Sequence, residues 1–328
     1  MQRDRDLDNW FVFCTVADLS SISAACEKVN MDPSGISRLL RGLEQALGGI
    51  PLFDRSMRPL KLTENGEIAY RYAQAMLENH RSLVESLDKD PMAMRGTIAI
   101  GLPPLLLQNY LLPFLVEFQS DYPEIYLKVI ENSSTTLVSF DTEHGRLDVL
   151  CGYGAVPSHP NLVQIHYGNS VLLPCASPLY IRRKGFPEHP QDLKDHTGII
   201  FASSIRPKVR HLSKGEETAS LSWGKEMLFD SAASAVNATL YGVGIYPAVP
   251  ALHCFREFEN KELVNVLPGW RAPENKLFLY ARPEAARLKR VQVFIERYRA
   301  FIDQLHEECE KVLYPIVGEL HLRLPKVW

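Results

Sequence analysis

No stretch of this sequence is both long and apolar. None approaches the ~18 uninterrupted apolar residues of a membrane-spanning helix. The first residues, MQRDRDLDNW, carry charge where a secretion leader carries an apolar run and a small-residue cleavage site. A cytoplasmic location, with no membrane partner, is the expectation. Cysteine is sparse: Cys14, Cys26, Cys151, Cys175, Cys254 and Cys309 stand singly, with no CxxC pair and no zinc-ligand spacing to histidine. Reduced structural thiols are the plain reading, and a redox pair such as Cys175 with Cys254 the alternative. An excess of positive charge is missing too, since the net charge of −3 leaves no global footprint for nucleic acid. GxSxG, P-loop and HExxH patterns are absent, and Gly152–Tyr153–Gly154 and Gly242–Val243–Gly244 are isolated GxG pairs, weak as nucleotide signals. His80, His144, His159, His166, His189 and His196 fall into no ligand spacing. With no nucleophile–base or metal constellation, neither an enzyme nor a cofactor is expected.

What is present is a patterned globular chain. Its 328 residues exceed one ordinary core and predict two or three domains. Near the N-terminus, Leu7, Trp10, Phe11, Phe13, Cys14 and Val16–Ala17 recur at helical spacing. A second helix after Ser20–Ser21 carries Ile22, Ala25, Cys26 and Val29, with small side chains at Ala24–Ala25 that permit a close crossing. Asn30–Met31 turn the chain, Asp32 supplies an N-cap and Pro33 the first helical position. The third helix sets Ile36, Leu39, Leu40 and Leu43 on one face and Ser34, Ser37, Arg38 and Arg41 on the other. A short β-ribbon follows, with Leu52, Phe53, Leu60 and Leu62 inward and Arg55, Ser56 and Arg58 outward.

This is the pattern of a winged helix-turn-helix. Its second helix enters the major groove, where Ser34, Gly35, Ser37 and Arg38 meet base edges. Arg41, Arg55, Ser56 and Arg58 contact phosphates and fix register. Locally the charge is favourable: Arg38, Arg41, Arg55, Arg58 and Lys61 outnumber Asp32, Glu44 and Asp54. Thr63 caps a helix reaching about Leu87, with an apolar seam of Ile68, Ala69, Tyr72, Ala73, Met76, Leu77, His80, Leu83, Val84 and Leu87 that suits pairing.

Past the boundary at 88–95 the period changes. Buried strands are expected at 97–102, 125–131, 148–153, 170–176, 197–203, 226–231, 263–268 and 276–282, and helices around 105–120, 135–144, 232–241 and 284–313. This alternation predicts a parallel α/β sheet in two lobes with a crevice. Ligands of open α/β sheets bind beyond the carboxyl ends of strands. The turns there contain Leu102–Pro103–Pro104, Ser133–Ser134, Ser203–Ser204, Ser231 and, in the second GxG, Gly244. Helix N-termini and hydroxyls favour an anion, and the apolar run Leu102–Leu107 favours one with an apolar part. Arg206, Lys208 and Arg210 are either a carboxylate contact or a solvated run.

The N-terminal segment resembles the LysR-type transcriptional regulators. The matching residues are Trp10–Phe13, Ser20–Ser21 before Ala24–Ala25, Asp32–Pro33–Ser34, Ile36–Ser37–Arg38, Leu43–Glu44, Leu52–Phe53 with Arg55, and Leu62–Thr63 with Gly66. Gly48–Gly49 departs from the family's usual single glycine. Later residues are also similar: Arg95–Gly96, Tyr122–Pro123, Gly145–Arg146–Leu147–Asp148, and Gly242–Val243–Gly244–Ile245 before Pro250. The resemblance implies a multidomain α plus α/β protein. It would have a winged helix-turn-helix (1–63), a dimerisation helix (64–90) and an effector-binding domain like a periplasmic solute-binding protein (91–303). The C-terminal extension (304–328) runs past where the family commonly ends, and its Val312, Leu313, Ile316, Val317, Leu320, Leu322 and Leu324 make an apolar surface that either covers the last helix or mediates assembly. Lobe I would take about 95–168 and 269–303, and lobe II 169–268. The implied partners are double-stranded DNA with an inverted repeat, a small-molecule effector, and further copies of the chain as a dimer and a dimer of dimers. RNA polymerase is a candidate partner. The competing reading is a solute-binding module whose N-terminal helices dock a protein.

Overall fold

The computed structural model describes residues 3–86, 90–131, 140–142, 145–154, 162–202 and 208–323. Contacts divide the chain into two units, residues 1–89 with the hairpin 141–146, and residues 90–140 with 147–328. No described helix is long and apolar enough to cross a membrane.

The N-terminal unit runs α1 (Leu7–Leu19), α2 (Ile22–Val29), α3 (Pro33–Ala46), the hairpin β1 (Phe53–Asp54) with β2 (Lys61–Leu62), and α4 (Glu64–Ser86). Asp6, Ser21 and Asp32 each cap a helix, accepting the N–H of Asp8, Ala24 and Gly35. Ser20 and Asn30 close α1 and α2 in the left-handed region, at φ 50° and 51°. The core gathers Trp10, Phe13, Val16, Ala25, Ile36, Leu40, Leu43, Leu52 and Phe53. Phe13 meets Trp10 and Phe53 edge-to-face at 5.7 and 5.4 Å. Phe11, expected on the apolar face, is 49% exposed. At about 100° per residue, a helix that buries Trp10, Phe13 and Cys14 turns position 11 outward. The seam of α4 splits likewise. Ala73 is buried and Ala69 and Leu77 pack on the core, whereas Ile68, Tyr72 and Met76 are exposed. His80 is also exposed. The Tyr70 hydroxyl ties α4 to α1 by donating to Asp18.

The larger unit begins with β3 (Gly96–Leu102), α5 (Pro104–Leu106), a π turn (Leu107–Leu111), α6 (Leu112–Asp121) and β4 (Ile125–Glu131). The helix expected over 135–144 is corrected at its described residues. Asp141–Thr142 (β5) pairs antiparallel with Gly145–Arg146 (β6) around a glycine at φ 102°. The rest of that stretch lies outside the described residues. Then come β7 (Val149–Tyr153), β8 (Val163–Ala176), α7 (Pro178–Lys184), β9 (Thr197–Phe201), β10 (His211–Lys214), β11 (Glu217–Ser220) and β12 (Lys225–Phe229). The last regular elements among the described residues are α8 (Ala232–Leu240), β13 (Tyr246–Pro250), α9 (Ala251–Glu259), β14 (Val264–Asn265), β15 (Ala272–Ala281), α10 (Pro283–Ala286) and α11 (Lys289–Val317).

The sheet is mixed rather than parallel, in the order β13-β8-β15-β7-β3-β4 with β14 on β8. β3, β4 and β7 are mutually parallel, as are β9 and β12. The cause is a pair of long strands, β8 and β15, which run antiparallel and are shared by two groups of partners. β15 pairs with β7 over Leu277–Ala281, while β8 pairs with β13 and β14 over Leu172–Ala176. Between those groups the β8–β15 register shifts twice, between Ala272 and Asn275 and between Leu277 and Phe278. Asp148 clasps the parallel group, accepting from Ala99 N at 2.9 Å and pairing with Arg282, whose Nε donates to the Leu147 carbonyl at 2.7 Å.

All six cysteines are free thiols, and Cys175 and Cys254 are fully buried. Burial pushes Cys14 and Cys151 up to about 12, leaving them protonated and unreactive near neutrality.

Candidate nucleic-acid interface and effector site

α3 starts at a cap reinforced twice: Asp32 accepts from Gly35 N at 3.1 Å, and the Ser34 hydroxyl donates to its second oxygen. These hydrogen bonds hold the Asp32 carboxyl below its ordinary value. Ile36, Leu40 and Leu43 are buried, while Asp32, Pro33, Ser34, Arg38 and Arg41 are exposed and Gly35 and Ser37 half-exposed. The helix therefore offers a polar, basic edge fixed from below by its apolar face.

The β1–β2 wing is braced by Glu44, a 9%-exposed carboxylate on α3. It accepts from Leu52 N at 3.0 Å and pairs with Arg55 at 2.7 Å. Arg55 thus does not project freely, although its side chain is 50% exposed. Ser56 folds back on Asp54, and Arg58 donates to the carbonyls of Arg55 and Met57. Gly66 sits where a Cβ would lie 2.0 Å from the Leu52 carbonyl, which fixes the start of α4 against the wing. Between α2, α3 and the wing lies a groove of about 460 Å³ bordered by Ser20, Ser21, Ser23, Ser37, Arg55 and Arg58. Ser20, Ser21 and Ser23 are not among the sequence candidates: Ser20 and Ser21 precede a helix and read first as caps, and Ser23 lies within α2.

In the larger unit, α5 packs against α8. The Pro103–Pro104 turn after β3 opens α5, and at the start of α8 Ser231 accepts from Ser234 N at 3.4 Å. Leu102 is fully buried in the core. Gly244 is also buried, at a point where a Cβ would lie 2.4 Å from the Thr197 carbonyl, so strand packing accounts for it. Ser133, Ser134, Ser203, Ser204 and Arg206 lie outside the described residues. Lys208 pairs with Glu226. The π turn meets α9: Asn109 Nδ2 donates to the His253 carbonyl at 3.0 Å and to Glu257 Oε1 at 3.2 Å, and Tyr110 stacks on Phe255 at 5.0 Å. Burial raises the Glu257 carboxyl, whose other oxygen has no hydrogen-bond partner among the described residues. Such π turns often mark functional positions, and no sequence signal announced this one. Among the described residues no cluster of His, Cys, Asp or Glu could hold a metal.

Residues 93–303 match the LysR substrate binding domain, and residues 7–67 match the bacterial regulatory helix-turn-helix proteins of the lysR family. The chain belongs to the LysR family of transcriptional regulators. It is 29% identical over 291 residues to the HTH-type transcriptional regulator YhjC of Escherichia coli (strain K12), covering 87% of this chain and 94% of that one. It is 28% identical over 288 residues to the transcriptional activator AaeR of the same strain, covering 87% and 90%. The full-length structure of the Vibrio cholerae virulence activator AphB shares the fold at a TM-score of 0.58, with 24% identity and coverage of 91% and 99%.

This LysR-type regulator is therefore an effector-modulated, DNA-binding transcription regulator and not an enzyme. Proteins of the family bind DNA and small-molecule effectors and form oligomers. The α/β expectation stands in the regulator at the level of fold class, with the sheet corrected from parallel to mixed.

Proposed function

We propose that α3 of this regulator reads the major groove, with Ser34, Gly35, Ser37 and Arg38 at base edges and Asp32–Pro33 setting its angle. Arg41, Arg58, Ser56 and the groove serines hold phosphates. Arg55 reaches a phosphate with the guanidinium N–H groups that Glu44 leaves over. The observation that carries this reading is the basic edge of a rigidly capped helix bordering a serine- and arginine-lined groove. The exposed stripe Ile68, Tyr72 and Met76 on α4 supports pairing with a second copy. Two recognition helices would then stand about 34 Å or a multiple apart and match an inverted repeat. Two such dimers make the tetramer, with RNA polymerase a further partner in the cytoplasm. The effector is an organic anion with an apolar part, held near Pro103, Pro104 and Ser231 and, outside the described residues, Ser133, Ser134, Ser203 and Ser204. It shifts the oligomer between two arrangements by no more than its differential affinity for them.

Arg38→Ala tests the base-reading assignment. Specific binding should weaken by about 1–3 kcal/mol and base preference should relax. An equal loss on specific and random duplex would remove Arg38 from the base-reading set.

A further inference from the structure

We propose that residues 318–323 form a strap that locks the two strands joining the lobes and thereby sets how far the lobes open. The family match ends at residue 303, yet α11 continues to Val317. Gly318 then turns the chain at φ 72°, and the segment that follows buries Leu320 and Leu322.

The strap touches both strands where they pass between lobes. On β8, the Asn169 N–H donates to the Leu322 carbonyl at 2.8 Å, and Asn169 Nδ2 donates to the His321 carbonyl at 3.2 Å. Beside β15, Arg271 Nη2 donates to the Glu319 carbonyl at 2.8 Å. Asn169, paired with Lys276, lies between the two shifts of the β8–β15 register, and Arg271 lies just before the first of them, which makes this crossing the natural place for a hinge. The other end of the strap is anchored on α11: Glu310 accepts from Leu322 N at 3.2 Å, and Arg323 pairs with Glu307 at 2.7 Å and with Glu310 at 2.9 Å. α11 itself packs on α9, which falls within the span 169–268 expected to form lobe II.

Gly168 makes the fit possible. A Cβ there would lie 2.4 Å from His306 Cε1 and 3.0 Å from the Leu322 carbonyl, so a larger residue would push α11 and the strap away. His306 is fully buried beneath them, and its ring nitrogens have no hydrogen-bond partner among the described residues. Hinge motion changes backbone angles in a few residues at such a crossing. Bonds from one segment to both strands resist that change, and a ligand that closes the lobes must work against them.

The test is a pulsed electron spin resonance distance measurement on the full chain. Labels go on Glu124→Cys in one lobe and Glu216→Cys in the other, in a Cys26→Ser background, with labelled chains diluted by unlabelled ones. Three chains are compared: the parent, a chain ending at Val317, and Asn169→Ala with Arg271→Ala. The expected result is a broadened and shifted inter-lobe distribution in the shortened chain and, to a smaller degree, in the double variant. Should the shortened chain fail to fold, the double variant decides. Distributions that match the parent, even with a lowered melting temperature, would overturn the proposal and leave the strap as a passive cover.

Discussion

Glu44 shows how one side chain can serve two parts of the regulator. Its carboxylate, nearly buried on α3, holds the main chain of the wing at Leu52 and the guanidinium of Arg55. Glu44→Ala should lower stability by about 1–3 kcal/mol, the scale of hydrogen bonds to charged groups, discounted because Arg55 is half-exposed. An unchanged urea midpoint would mean that the wing is held by packing alone. Arg55→Ala should weaken specific and random duplex alike and flatten the salt dependence. If the slope stays the same, Arg55 is only a brace for the wing.

His306 carries a pH prediction. Burial, with the Arg323 charge adding to it, pushes the imidazole from 6.5 down to about 4. The folded chain stays unprotonated there while the unfolded chain binds a proton near 6.5. Stability is thus fully present above the unfolded value and is lost as pH falls from about 6.5 towards 4. The contribution is of order 3 kcal/mol from one such group. His306→Gln should remove that part of the acid sensitivity, as read by denaturant midpoints between pH 7 and pH 4. An acid slope identical to that of the parent would show that the ring is already protonated when folded.

At the scale of elements, α4 divides its apolar residues between a face on its own core and an exposed face. Ala69, Ala73 and Leu77 face the core of their own unit, and Ile68, Tyr72 and Met76 are left exposed at four-residue spacing. Tyr72→Asp combined with Met76→Asp should dissociate the oligomer towards monomers in sedimentation, with α4 still helical. A full-sized oligomer would exclude this stripe as an interface. The helix-turn-helix was readable because its signals are local: Asp32 and Pro33 start α3, and the four-residue spacing of Ile36, Leu40 and Leu43 declares its face. β10 and β11 were not readable, since His211–Lys214 and Glu217–Ser220 are short and mostly exposed, with one buried residue between them. The first half of β8 mixes polar residues with apolar ones and gave no clear period. α9 follows directly on the buried strand Tyr246–Pro250 without a side-chain cap, so nothing marked its start. The strap depends on Gly168, Asn169 and Arg271 meeting a segment about 50 to 150 residues away in the sequence, and such contacts leave no local pattern.

At the scale of the molecule, one chain joins a DNA-binding unit to a ligand-binding unit, and thermodynamic linkage makes their effects reciprocal. An effector that alters DNA affinity by some factor must itself bind DNA-bound regulator with affinity changed by the same factor. The net charge of −3 gives the chain as a whole no attraction for DNA, so the proposed contacts at the α3 edge and the wing must supply it. DNA affinity should therefore come from a small set of phosphate contacts and respond steeply to salt. Fluorescence anisotropy of the purified regulator addresses the central claim most directly, comparing duplex from around its own gene with random duplex across a salt series. The account predicts tighter binding to the first, with log K falling linearly against log salt concentration on both. Failure to bind either duplex at low salt would contradict it.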